Sequence, residues 1–351
     1  MTMMQPTTRR WIHPREPGLS LLLGTNKQGG LHTYNMDGSE HQLVSEGVRP
    51  NNLDVLYDFR LAGRMRDVAV ATVRADNAQG LKMWMMDAAT RQLSDVTDGG
   101  TIRVFGGSEP YGVCGYRSAR TGRFYVFVTD DEGTVEQHEL KDTGRGLIGT
   151  TKIRQFAVGS VVEGCVADHE LGVLYIAEEQ VGVWKFDAEP GASGKGKLIA
   201  RVGENGLRED VEGLALYAAA DGRGHLIVSS QGNNTFKVYE RGGDNRHLLT
   251  IDPTGGRIDD ISETDGIVVT NCPTSTEFAS GLFVAHDGKN ARGNQNFKLY
   301  AWEDIAGTSL LIDTTCRVRS AARGNGMPAS SAHLEMGSSQ LPGATTIVSR
   351  R

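Results

Sequence analysis

Short apolar runs alternate with polar turns along the chain, on a period of roughly 50 residues. Each copy reads as an apolar strand, a polar turn and a second strand that often ends in an acid. The first three copies are SLLLGTNKQGGLHTYNMD (Ser20 to Asp37), DVAVATVRADNAQGLKMWMMD (Asp67 to Asp87) and FYVFVTDDEGTVEQHEL (Phe124 to Leu140). The next three are VLYIAEEQVGVWKFD (Val173 to Asp187), HLIVSSQGNNTFKVYE (His225 to Glu240) and GLFVAHDGKNARGNQNFKLYAWED (Gly281 to Asp304). Six hairpin units in one chain predict an all-β fold, a six-bladed β-propeller with four antiparallel strands per blade. The pattern bounds the propeller at residues 11–318. Residues 1–10 read as a leader without order, and 319–351 as a disordered tail rich in Ser, Ala, Gly and Arg.

A chain of 351 residues can bury a large core without disulfide or metal, and a propeller of this size stays one domain. The net charge of −6 argues against nonspecific binding to nucleic acid or to an anionic membrane. No apolar run reaches the ~18 residues of a membrane span. The start, MTMMQPTTRRWIHP, lacks the apolar stretch of a signal peptide, so location stays open. A monomer is expected. The four cysteines form no CxxC pair. Cys114 and Arg120 have the C-x5-R spacing of cysteine phosphatases, but CGYRSAR falls on a predicted strand rather than a phosphate loop. Buried apolar cysteine is the expectation for Cys114 and Cys165.

In a propeller blade the turn between the second and third strands and the start of the innermost strand lie at the same face. The turns supply Lys27, Arg74, Asp131 with Glu132, Glu179, Gln231, and Asp287 with Lys289 and Asn290. The inner-strand starts are NNLD (Asp54), EPYG (Tyr111), VEG (Glu163), DVEG (Asp210, Glu212) and TDG (Asp265), with Asp259 and Asp260 just before the last. Acids dominate one arc of this rim and Lys27 and Arg74 the other. Two carboxylates 4 Å apart repel by roughly 4 kcal/mol at an effective dielectric of ~20, so such a cluster binds protons or cations. Carboxylates with an amide form a hard oxygen set that suits Ca²⁺. The neighbouring cations suit an anion such as phosphate, with bridging metal ions reconciling an acidic protein with a polyanion.

At these residues the chain resembles the β-propeller phytases, the alkaline, calcium-dependent phytase family. The resemblance rests on TNKQGGL, NNLDVLYDF, EPYGVCGY, VEGCVADHELGVLYIAEE, DVEGLALYAAADGRGHLIVSSQGNN, SETDGI, FVAHDG and NQNFKLYAW, from about Trp11 to Gly307. It implies hydrolysis of phytate (myo-inositol hexakisphosphate) by direct attack of metal-activated water, with several Ca²⁺ ions at one end of the channel. It implies metal positions at Glu163, Glu179, Asp210, Glu212, Gln231, Asp259, Asp265 and Asp287. It further implies that Lys27, Arg74, Tyr111 and Glu132 take substrate and that Glu179, Glu163, Glu212, Arg74 and Lys27 carry the chemistry.

Four departures stand against that pattern. Thr7, Thr8, Arg9 and Arg10 replace an acidic DDPAIW-like stretch before Trp11. Asp131 stands at a usual phosphate-binding lysine, Leu56 at a usual arginine and Lys289 at a usual acidic ligand. They motivate an alternative, a catalytically impaired propeller that binds calcium or inositol phosphates. A protein-interaction propeller of the WD-repeat kind lacks its Gly-His and Trp-Asp signals here. Trp84, Trp184 and Trp302 are expected on third strands, packing between sheets. Asp37, Asp87 and Asp187 are expected to form turns. Ring closure is expected from SLLIDTTC, after Gly307.

Overall fold

A computed structural model describes residues 7–44, 47–76, 78–254, 260–290 and 295–318, with the backbone of Thr345–Val348. Six four-stranded sheets follow one another along the chain. Blade 1 pairs Thr8–Trp11, Leu21–Asn26, Gly30–Asn35 and Glu40–Val44. Blade 2 pairs Pro50–Leu61, Arg64–Ala75, Ala78–Met86 and Leu93–Asp95. Blade 3 pairs Pro110–Arg117, Phe124–Asp130, Thr134–Asp142 and Ile148–Ala157. Blade 4 pairs Val162–Asp168, Val173–Glu178, Gly182–Asp187 and Lys197–Arg201. Blade 5 pairs Val211–Ala218, Gly224–Ser230, Thr235–Glu240 and His247–Ile251. Blade 6 pairs Ile267–Thr270, Leu282–Asp287, Asn296–Ala301 and Thr345–Val348. The innermost strands neighbour one another in order, and that of blade 6 returns to that of blade 1. The expected six-bladed propeller is the fold.

Alternation along each strand sends apolar side chains into the gaps between sheets. Among the described residues the core is accordingly divided by blade interface. Leu56, Val70 and Met83 meet Val113, Val126 and Val128 between blades 2 and 3. Tyr175 and Val183 meet Leu214 and Val228 between blades 4 and 5. Trp84 packs between blades 1 and 2, as expected of a third strand. Trp302 does not lie on a strand. It opens a short helix, Trp302–Ala306, and stacks on Tyr217 at 4.3 Å. Asp37, Asp87 and Asp187 do shape turns, accepting backbone N–H groups of Ser39, Ala89 and Glu189.

Order begins earlier than the sequence pattern indicates. Thr8–Trp11 is the inner strand of blade 1, and the Arg9 guanidinium sits in the central channel. It donates to the carbonyls of Thr8, Ile267 and Cys165 and pairs with Asp54 at 3.2 Å, joining blades 1, 6, 4 and 2. The stretch from Ser309 to Cys316 is not the closing strand. Leu311 N–H donates to His225 Nε2 at 2.9 Å, and the Tyr217 hydroxyl donates to the Asp313 carbonyl, below blade 5. Blade 6 is completed by Thr345–Val348, within the segment expected to lack order; it pairs with Asn296–Ala301.

The cysteines depart from expectation. Cys114 and Cys165 are joined as a disulfide between the inner strands of blades 3 and 4, and Cys272 and Cys316 form a second. Both of the first pair are buried, as expected, but neither is a free thiol. Cysteine-phosphatase chemistry at Cys114 is thereby excluded.

Candidate functional site: an acidic cup at the channel mouth

Strand register decides which side chains reach the mouth. The inner pairs Leu53–Ala71, Val113–Val128, Cys165–Ile176, Leu214–Val228 and Ile267–Ala285 are equivalent from blade to blade. Two residues back along the inner strand from each stand Asn51, Tyr111, Glu163, Glu212 and Asp265. Three residues forward along the second strand stand Arg74, Asp131, Glu179, Gln231 and Gly288, with Lys27 in the same place after the Thr8–Gly24 pair of blade 1. In blades 2 to 5 the ladder slips between these pairs and the mouth.

Carboxylate oxygens of Glu163, Glu179 and Glu212 all lie within 4.8 Å of one another. Lys27 Nζ stands 3.5 Å from Glu163 and 3.8 Å from Asp265. Gln231 Nε2 donates to Asp265 Oδ1 at 2.7 Å. Glu163, Glu212 and Asp265 are buried, and Glu212 Oε2 and Asp265 Oδ2 accept no hydrogen bond. Burial, with the charge of Glu163 next, pushes the Glu179 carboxyl up to about 7 and that of Asp265 up to about 8. The same two causes hold Glu212 well above the usual carboxylate range. The carboxylates outnumber the lysine beside them, and the arrangement is lined with hard oxygens. It fits a divalent cation with oxygen coordination.

Beside the cup, the Tyr111 ring neighbours two cations, Lys27 Nζ 5.9 Å and the Arg74 guanidinium 5.3 Å from its centroid. The charge of Glu163, then burial, raises the Tyr111 hydroxyl pKa, so it remains a proton donor. Arg74 also meets Glu109 at 3.4 Å, a partner that sequence reasoning did not single out.

Asp210 joins the edge of the cup. It is exposed, its charge bears on Glu179, and its carbonyl accepts the Gln231 N–H at 3.0 Å. Asp287 does not meet these residues in any described contact. It lies one residue before the ring position, so its side chain turns into the blade. There it is fully buried against Lys298 at 2.7 Å and accepts the Ser262 N–H. Glu132, one residue past Asp131, is exposed and has no described contact with the cup. Asp259 lies outside the described residues. Asp54 is too deep for the rim and pairs with Arg9 instead.

A model of the phytase family matches residues 5–319. The chain belongs to the phytase family. A 3-phytase of Bacillus subtilis (strain 168) is 41% identical over 301 residues, covering 84% of this chain and 78% of the relative. A lectin of Aleuria aurantia, solved with a fucoside, superposes with a TM-score of 0.55 at 10% identity, covering 92% of this chain and 98% of the lectin. That second likeness is one of fold alone.

The departures of this phytase fall at different depths. Asp131 occupies the outer ring, where it accepts the Glu109 N–H. Lys289 pairs with Glu263 at the rim of blade 6. Leu56 belongs to the core between blades 2 and 3 and touches no rim group in any described contact. Arg9 fills the channel with a fixed positive charge.

Proposed function

We propose that the protein hydrolyses phytate as a calcium-dependent phosphomonoesterase acting at this cup. The observation that carries the reading is the Glu163–Glu179–Glu212 triangle, with buried oxygens that accept no hydrogen bond and with Lys27 and Arg74 nearby. Glu163, Glu179 and Glu212, with Asp210, Gln231 and Asp265, would hold the ions. Bound calcium would polarise a phosphoryl oxygen and lower the pKa of its water. Lys27 offers a point charge and Arg74 a fork of donors to phosphate oxygens, and both stabilise charge that builds on the transferred group. Tyr111 neighbours both and presents a protonated hydroxyl. In the reaction a water oxygen–phosphorus bond forms as the phosphorus–inositol oxygen bond breaks, a proton given up by the water makes good the inositol hydroxyl, and no covalent enzyme intermediate is formed. The two disulfides suit an oxidising compartment.

Asp131, an acid in the outer ring between Arg74 and Glu179, favours a second reading in which phosphate binding is weakened and turnover impaired. Phosphate release from phytate separates the two. The first reading expects release to vanish on chelation and return with added calcium. Ligand-dependent thermal stabilisation without release supports the second. Release that ignores chelation contradicts the metal's role.

A further inference from the structure

We infer that Asn51 is a positioning residue of the cup, its amide holding Glu163 and the Tyr111 segment where cation and phosphate are received. The inference rests on the reading above and extends it by bringing the inner strand of blade 2 into the machinery.

Asn51 occupies the inner-ring position of blade 2, equivalent to Glu163 in blade 4 and Glu212 in blade 5. It is 0% exposed. Its Nδ2 donates to Glu163 Oε1 at 3.1 Å and to the Tyr111 carbonyl at 3.0 Å. Both partners are acceptors and an amide nitrogen has two N–H groups, so the nitrogen is fully used and the orientation of the amide is settled. Oδ1 is left buried without a hydrogen-bond partner. A buried acceptor in that condition costs stability until a donor or cation reaches it.

The contact with Glu163 reaches past blade 3 to a residue 112 positions along the chain. Asn51 is itself anchored, since the Thr25 hydroxyl donates to its carbonyl at 2.7 Å. Asn52 adds a second brace, its Nδ2 donating to the Glu163 carbonyl at 3.2 Å. Glu163 is the carboxylate whose charge raises the pKa of Glu179, Glu212, Asp265 and Tyr111. Asn51 and Lys27 together engage its Oε1. Truncating Asn51 frees the most connected acid of the cup, and a misplacement near 1 Å in such a site costs on the order of 100-fold.

The test compares wild type with Asn51→Ala and Asn51→Asp. Calcium affinity is read by titration calorimetry on chelator-treated protein, stability by melting in chelator, and kcat and KM on phytate at saturating calcium. Asn51→Ala should weaken calcium binding by roughly tenfold or more and lower kcat by about 10- to 100-fold, while KM changes by less than about threefold. Asn51→Asp keeps the volume but sets an acceptor against two acceptors. It should show the same loss of kcat, and it decides the matter if the alanine variant does not fold. A lower melting temperature with wild-type kcat and calcium affinity assigns Asn51 to the scaffold alone and overturns the inference. A wild type that binds no calcium sinks the functional reading and takes this inference with it. Binding by wild type with unaltered variants sinks only this inference.

Discussion

Replacing Glu212 with Gln should flatten the pH dependence of stability in the metal-free protein and weaken its stabilisation by calcium. Two carboxylates 4.8 Å apart repel by about 3.5 kcal/mol at an effective dielectric of ~20, and Glu212 faces two such neighbours. Fully ionised, the trio would oppose folding by an amount comparable with the whole stability of a typical domain, ~5–15 kcal/mol. The folded protein therefore keeps protons here. Below the ordinary carboxylate pKa, folded and unfolded chains are both protonated and the cluster costs nothing. As pH rises past that value the unfolded chain ionises first, and stability falls until the raised folded pKa is passed. The slope is about 1.4 kcal/mol per pH unit for each such group. Glu179 contributes between its ordinary value of 4.5 and about 7, Asp265 between 3.8 and about 8, and Glu212 from 4.5 upward. Urea unfolding in excess chelator at several pH values from 5 to 8 measures the slope. Glu212→Gln should lose about 1.4 kcal/mol less per pH unit than wild type. Calcium at 100 times its Kd should stabilise wild type by about 2.7 kcal/mol and the variant by much less at the same concentration. Parallel slopes and equal gains from calcium would refute the reasoning.

Three further outcomes follow from the geometry. Arg74→Gln removes a fork of donors beside Tyr111 and should lower kcat/KM for phytate by roughly 10- to 100-fold, the worth of one charge-assisted hydrogen bond; steady-state kinetics showing no change would remove Arg74 from the substrate. Arg9→Met leaves Asp54 without its cation and three channel carbonyls without their donor. It should cost about 3–5 kcal/mol in urea unfolding with little effect on KM; unaltered stability would show that the guanidinium is dispensable. Replacing Cys272 and Cys316 by Ser opens a link between residues 44 apart and should lower stability by up to about 4 kcal/mol; a wild type indifferent to reductant would contradict this.

Glu163 and Glu212 were legible in the sequence because VEG recurs at the start of two inner strands, and because strand spacing places that start at the mouth. Asn51 was hidden by its own motif. NNLD draws the eye to its acid, yet Asp54 lies three residues deeper and is taken by Arg9. Matching blades by paired residues rather than by charge would have found Asn51 beside Tyr111, Glu163 and Glu212. Asp287 stands apart from the triangle for the converse reason: it is acidic and on the right turn, but one residue out of phase, and alternation buries it against Lys298. The Cys114–Cys165 link carried a readable signal, since a separation of 51 is close to one blade and puts both residues on adjacent inner strands. Arg9 could not be placed from sequence, because apart from Asp54 its partners are backbone carbonyls, which leave no mark in side-chain identity.

The central claim is that distant acids converge on one cation-binding cup. Crystals soaked in calcium and measured for anomalous scattering test it most directly. The account predicts difference density between the carboxylates of Glu163, Glu179 and Glu212, absent in Glu212→Ala crystals. Calcium peaks found only elsewhere on the molecule, with this triangle empty at saturating calcium, would contradict it.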